Sequence, residues 1–236
     1  MEYLRKLEKS LEHLIEGRIL DHFQDGIHPM EVAKKLASMM REEKRLILQK
    51  CYGPNHYVIS LSGEDYHEFS RLMATFRGEL VQFLAMEAED LDLSFLGPLG
   101  VELHEEGSVK RGFVKLSCSY TSGESVKEGG ASLQVIRAVL AVKEGFGKGK
   151  IYPLLASAVT LGRSEDNSII ISDPKVSSLH CRIELQGDEF VLKDMDSRNG
   201  VEINRKPATG AVLRDRDEIA LGYSILQFFR LSTQSL

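Results

Sequence analysis

In the stretch Val176–Cys181, VSSLHC, a serine stands three positions before a histidine, with a cysteine directly behind it. Ser177 and His180 are the residue types of a nucleophile and its base, so hydrolysis is the first chemistry to weigh. A serine hydrolase presents its nucleophile on a strand-to-helix elbow, G-x-S-x-G, with an acid elsewhere to orient the imidazole. Neither glycine flanks Ser177, and the residues that follow, CRIELQ, alternate as a strand does. Cys181 opens that strand beside His180, which points the two side chains to opposite faces. Hydrolysis by Ser177 and His180 is therefore kept as the alternative, and no catalytic residue is expected. The glycine-spaced run KEGFGKGK (143–150) leads into Ile-Tyr-Pro, where a phosphate loop needs Lys-Ser/Thr and a helix, so it reads as a hairpin turn. The other six histidines lack metal-ligand spacing, and Cys51, Cys118 and Cys181 form no C-x-x-C pair. Neither a metal site nor a cofactor is expected.

Three polar loops suit a different task. LGRSEDN places Gly162 and Arg163 at a strand end, DPKVSSLH follows, and DSRNGVEIN brings Ser197, Arg198, Asn199 and Gly200 into a turn. A guanidinium fork, a hydroxyl and an amide drawn from three loops form a donor set for an oxyanion.

The elements that must hold these loops are short strands. From Leu133 onward, runs such as VTLGR, CRIELQ, EFVLKDM, DEIALG and SILQFFRL alternate with turns, the pattern of a β-sandwich. Before residue 121 the pattern is helical. Leu4, Leu7, Leu11, Leu14 and Ile15 recur at helix spacing, HPMEVAKKLASMM has Pro29 in its first turn, and Ser62 with Asp65 makes a capping-box-like start. HYVISL, LGVELHE and GFVKLSCSY add strands. The expected fold is multidomain: an N-terminal α+β domain over 1–120, helices on a small sheet, and an all-β sandwich over 133–236. Residues 121–132, TSGESVKEGGAS, read as a flexible linker.

Composition narrows the partners. The formal net charge is −5; residues 1–120 hold 15 Lys+Arg against 20 Asp+Glu, and the rest is balanced. Neither half is the basic surface that nucleic-acid binding requires, which leaves an RNA-binding N-terminal domain as a minor alternative without a G-x-x-G clamp loop. The N-terminus has no apolar core of a signal peptide and no apolar run is long enough to span a membrane. A cytoplasmic protein without direct membrane insertion is expected.

The ordered series Gly162-Arg163, Ser177-x-x-His180, Asn199-Gly200 and LRDRDEIALG resembles a forkhead-associated (FHA) domain over roughly residues 133–232. The resemblance implies an eleven-stranded sandwich whose loops bind phosphothreonine peptides. Arg163 would bind the phosphate, Ser177 would donate its hydroxyl to it, and Asn199 would hold the peptide main chain. Gly162, His180 and Gly200 would be structural, the imidazole pinning the loop that presents Ser177. Ser178 stands where a second phosphate contact is frequent, Arg198 adds a basic contact, and Arg216 replaces a frequent glycine.

The N-terminal half, through LEHLIEGRILDHFQDGIHPMEVAKKLASMM, GPNHYVISLSGEDYHEF and FLGPLGVEL, resembles the N-terminal domain of bacterial FhaA-type proteins. That resemblance implies a signalling adaptor in a Ser/Thr-kinase pathway tied to cell-wall synthesis or division. Its partner would be a phosphothreonine-containing protein, a kinase substrate such as a pseudokinase domain or the kinase itself. Thr121, at the head of the expected linker, would be a phosphorylation site that an FHA domain reads.

Overall fold

The computed structural model describes residues 26–70, 73–123, 134–231 and 234–235. Two compact units divide the chain: residues 1–46, 50–135 and 232–236 form one, and residues 47–49 and 136–231 the other. The helix expected around Leu4–Ile15 lies outside the described residues, as do residues 124–132 of the expected linker.

The first unit is α+β. Helix α1 (Pro29–Glu42) starts with proline at its first turn, where no hydrogen bond is lost, and His28 caps it by accepting from the Met30 amide. Val32, Ala33, Leu36, Met39 and Met40 form its buried stripe. Strands β1 (Arg45–Ile47) and β2 (Lys50–Tyr52) precede β3 (His56–Leu61), in which Tyr57, Ile59 and Leu61 face the core. Helices α2 (Gly63–Ser70) and α3 (Met73–Asp90) follow, then β4 (Leu93–Ser94), β5 (Gly100–Glu105), β6 (Val114–Ser119) and β7 (Thr121–Ser122). The helical crossover lets β5 run parallel to β3, while β6 pairs antiparallel on the other side. Strand β8 (Gln134–Val135) pairs with β7, and β20 (Gln234–Ser235) with β6. The core joins Leu36, Met39, Phe69, Phe76, Leu80, Phe83, Leu84, Val101 and Leu116.

One expectation is overturned here. Thr121 is 1% exposed and lies in β7. Its amide donates to Asn55 Oδ1 at 2.8 Å, and its carbonyl and hydroxyl accept from Asn55 Nδ2 at 3.1 and 3.0 Å. The polar run around it hid this, because the buried amide that satisfies Thr121 lies 66 residues upstream. A hydroxyl bonded inside a strand pair is not one a kinase can draw into an extended conformation.

The second unit is an all-β sandwich of eleven strands: β9 (Ala138–Glu144), β10 (Ile151–Pro153), β11 (Ala158–Gly162), β12 (Ile169–Ile170), β13 (Cys181–Gln186), β14 (Glu189–Asp194), β15 (Val201–Ile203), β16 (Lys206–Ala208), β17 (Gly210–Leu213), β18 (Glu218–Leu221) and β19 (Ser224–Arg230). One sheet runs β10-β9-β19-β18-β15-β16, the other β12-β11-β13-β14-β17. Alternation along the strands sends Leu140, Val142, Leu161, Ile183, Leu192, Leu226 and Phe228 into the space between the sheets. Each such side chain contributes roughly 1.5–3 kcal/mol when fully buried. The Phe190 and Phe228 rings meet across it, centroids 5.4 Å apart.

Candidate functional site

The three polar loops are joined by main-chain hydrogen bonds. Where β11 ends, the segment 177–178 crosses so close that a Cβ on Gly162 would lie 2.1 Å from the Ser178 carbonyl oxygen. Glycine is required there by space. The next two amides then fasten the loops: Arg163 N donates to Ser177 O at 2.9 Å and Ser164 N to Ser178 O at 3.1 Å. This leaves the Arg163 side chain exposed, and among the described residues it enters no ion pair.

His180 is completely buried. Its amide donates to Leu161 O and its carbonyl accepts from Met195 N, each at 2.9 Å. Its ring Nδ1 accepts from the Ser177 amide at 3.0 Å, so the ring proton belongs on Nε2, which lies 3.1 Å from the Gly200 carbonyl. One imidazole thus ties the serine loop to the turn carrying Arg198, Asn199 and Gly200. In that turn Gly200 has φ +72, the left-handed region that suits glycine.

The serine hydroxyl is turned the same way. Arg198 N donates to Ser177 Oγ at 3.0 Å. With one lone pair occupied by a main-chain donor, the Ser177 proton is available to an acceptor outside the protein. Asn199 is exposed, and its Nδ2 donates to Lys175 O at 2.6 Å, which fixes its amide. Ser178 and Arg198 are exposed beside this group. All of the residues singled out in these loops are therefore brought to one end of the sandwich.

Hydrolysis by Ser177 and His180 finds no geometry. Both ring nitrogens serve the main chain, Nδ1 the Ser177 amide and Nε2 the Gly200 carbonyl. Nor is Cys181 a nucleophile: burial first, with the charge of Asp194, pushes its thiol up to about 12.

Some supporting residues were not anticipated from the sequence. Asn167 Nδ2 donates to both Ser164 O (2.9 Å) and Ser178 O (2.6 Å), closing the arginine loop. Asp173 is fully buried and accepts from Lys175 N at 2.9 Å, Tyr223 N at 2.7 Å and Ser224 Oγ at 2.9 Å. It locks the serine loop to the turn before β19. There Gly222 has φ +61, and a Cβ on it would press within 2.7 Å of Lys175 Cβ. The Asp-Pro-Lys turn was the one available signal.

Comparison with known proteins finds two families in order along the chain: "FhaA, N-terminal domain" over residues 4–117 and "FHA domain" over residues 159–222. The chain belongs to the FhaA-type FHA-domain proteins. This FhaA-type chain is 37% identical over 91 residues to the glycogen accumulation regulator GarA of Mycolicibacterium smegmatis, a match that takes in 39% of the chain and 58% of GarA. It is 32% identical over 124 residues to the oxoglutarate dehydrogenase inhibitor of Corynebacterium efficiens, covering 52% of the chain and 87% of that protein. A solved FHA domain from work on phosphothreonine-dependent FHA interactions is 30% identical, with TM-score 0.37, over 39% of this chain and 95% of that one. The chain spans less than two thirds of the GarA proteins' length. Among the described residues no helix is long and apolar enough to cross a membrane.

Proposed function

We propose that this FhaA-type chain is a phosphothreonine-binding adaptor in bacterial Ser/Thr-kinase signalling. The observation that carries the reading is Ser177: its amide is held by His180, its hydroxyl oxygen by Arg198 N, and its proton is left for a ligand, while its carbonyl accepts from the amide of Arg163, whose exposed side chain enters no ion pair among the described residues. A tetrahedral dianion would take the Arg163 fork, the Ser177 hydroxyl and the Ser178 hydroxyl, with Arg198 adding positive charge. Asn199, fixed by Lys175 O, would present its side-chain oxygen to a peptide amide. Gly162, His180 and Gly200 hold the loops and touch no ligand.

FHA membership and the FhaA order of domains favour a partner that a Ser/Thr kinase has phosphorylated, a pseudokinase domain or the kinase itself, in cell-wall synthesis or division. The role is recognition, not catalysis, in the cytoplasm, without nucleic acid or membrane insertion. The test is calorimetry of the full chain against one peptide carrying phosphothreonine, phosphoserine, threonine or glutamate, chosen from a phosphopeptide array. Phosphothreonine should bind best, since its methyl contributes roughly 1 kcal/mol in an apolar pocket. Loss of a charge-assisted hydrogen bond of roughly 1.5–3 kcal/mol predicts that Arg163→Ala weakens binding at least tenfold with the fold intact. Unchanged affinity in a folded Arg163→Ala chain would sink the assignment.

A further inference from the structure

The glycine-spaced run KEGFGKGK takes no part in the site described above, yet it is tied to it. It forms the hairpin between β9 and β10, where Gly145, Gly147 and Gly149 have φ +87, +84 and +87. The tip is closed on itself: Lys148 N donates to Gly145 O at 3.3 Å, Lys150 N to Gly147 O at 2.9 Å and Gly149 N to Val142 O at 2.8 Å. It is also seated on the turn before β19. A Cβ on Gly145 would lie 2.7 Å from the Tyr223 carbonyl oxygen, so only glycine fits there. The next amide, Phe146 N, donates to Ser224 Oγ at 3.3 Å, and that hydroxyl donates to Asp173 Oδ2 at 2.9 Å. Asp173 in turn holds the serine loop by accepting from Lys175 N. One buried serine therefore couples the hairpin to the loop that presents Ser177.

The hairpin presents an apolar ring among unpaired cations. Phe146 is 44% exposed although its amide is fixed. Lys148 and Lys150 are exposed and, among the described residues, enter no ion pair. Glu144 is the only acidic residue of 144–150, and Lys143 before it is already paired with Glu218. Between the hairpin and the serine loop stands Tyr223, 63% exposed, with Lys175 Nζ 6.0 Å from its ring centroid. Lys175 is likewise exposed and outside any ion pair among the described residues. Exposed aromatic rings are enriched where proteins meet partners, and a main chain already fixed lowers the ordering cost of the contact.

We propose that the 145–150 hairpin, with Tyr223, is a second docking surface whose occupant is an acidic stretch flanking the phosphothreonine on the same partner chain. The inference rests on the phosphothreonine reading above. Charge complementarity selects the occupant: the unpaired lysines match carboxylates, and the two rings match an apolar side chain among them. Continuity places that stretch on the phosphorylated chain itself, since one extended segment can run from the phosphate past Tyr223 to Phe146. The bound phosphothreonine makes the second contact intramolecular, so a contact weak by itself still adds to affinity. An anionic membrane matches less well, because lipid-binding basic clusters hold about four to eight Lys or Arg.

The experiment uses the full chain and the phosphothreonine peptide selected for calorimetry above. That peptide is lengthened at either end, in separate syntheses, by about eight residues, which reach up to ~27 Å when extended. The extension is either Glu and Asp with one Leu, or Gly and Ser as the uncharged control. The acidic extension at one end should tighten binding at least about fivefold, and the gain should shrink between about 50 and about 300 mM NaCl as exposed charges are screened. Phe146→Ala, and Lys148→Ala combined with Lys150→Ala, should each remove the gain while binding the unextended peptide within about twofold of the wild type. The wild-type comparison decides the matter even where a variant folds poorly. No gain from either acidic extension, an equal gain from Gly and Ser, or a gain unchanged in either folded variant overturns the proposal. Capture of the chain by phosphatidylserine vesicles through Phe146, with no gain from the extensions, assigns the hairpin to a lipid surface and overturns it as well. If no phosphopeptide binds at all, the phosphothreonine reading falls and takes this inference with it; a bound core peptide without the gain sinks the hairpin alone.

Discussion

His180 commits both ring nitrogens to main-chain groups, the Ser177 amide and the Gly200 carbonyl. Replacing it with alanine leaves a buried donor and a buried acceptor unpaired and a void between two loops. The expected loss is roughly 1–3 kcal/mol. For a unit of about 100 residues that lowers the melting temperature by ~4 °C or more, read by thermal circular dichroism. An unchanged melting temperature would mean that water satisfies both groups and that the imidazole holds nothing. His180→Ala therefore differs from Arg163→Ala, which acts on an exposed side chain and should cost affinity without stability. Ser177 is legible in the sequence as a hydroxyl in a loop. Its role is set by Arg198 N, 21 residues later, which no spacing rule predicts.

Two elements carry tests of their own. The turn between β17 and β18 is held by Asp217, whose carboxylate accepts from Arg214 N at 2.7 Å. Arg216 within it has φ +70. A side chain in that region costs roughly 1–2 kcal/mol, against roughly 0.5–1 kcal/mol of extra chain entropy for glycine. Arg216→Gly should thus stabilise the sandwich slightly and leave phosphopeptide affinity unchanged, since the turn contributes none of the binding residues. A lower melting temperature would show that the arginine side chain has a stabilising contact. In the first unit, β3 and β5 bring His56 and His104 to the two oxygens of Glu102, at 3.2 and 3.0 Å. The hydrogen bond from His104 holds the Glu102 carboxyl below its usual range, outweighing partial burial. A carboxylate with a lowered native pKa stabilises the fold above its unfolded value, near 4.3, and that contribution fades as pH falls through the native value. Denaturant melts at pH 5 and pH 3 should show a smaller stability difference in Glu102→Gln than in the wild type. An identical difference would leave the pair without energetic weight, as solvent screening of a half-exposed carboxylate can cause.

At the scale of the molecule, a short piece of the first half belongs with the second unit. Ile47–Gln49 group with residues 136–231, and Ile47 is 1% exposed. A fragment starting at Leu133 omits them. It should fold, because its sandwich has a core of its own, yet melt below the corresponding transition of the full chain. Equal melting temperatures would show that residues 47–49 add nothing to the second unit.

Periodicity was enough to place α1, β3 and the sandwich strands, because each buries one face and so alternates or repeats along the chain. The ordered loops around Arg163, Ser177 and Asn199 were legible for a related reason. Their donor types and the glycines at 162 and 200 are demanded locally, by charge and by backbone space. Thr121 is the opposite case: a threonine among glycines and serines has the pattern of an exposed residue, yet Asn55 encloses it. Asp173, Asn167 and the place of Ile47 were decided by tertiary structure alone. Each depends on a hydrogen bond or a contact between residues far apart in sequence. Local pattern carries no information about which distant group will complete a polar side chain.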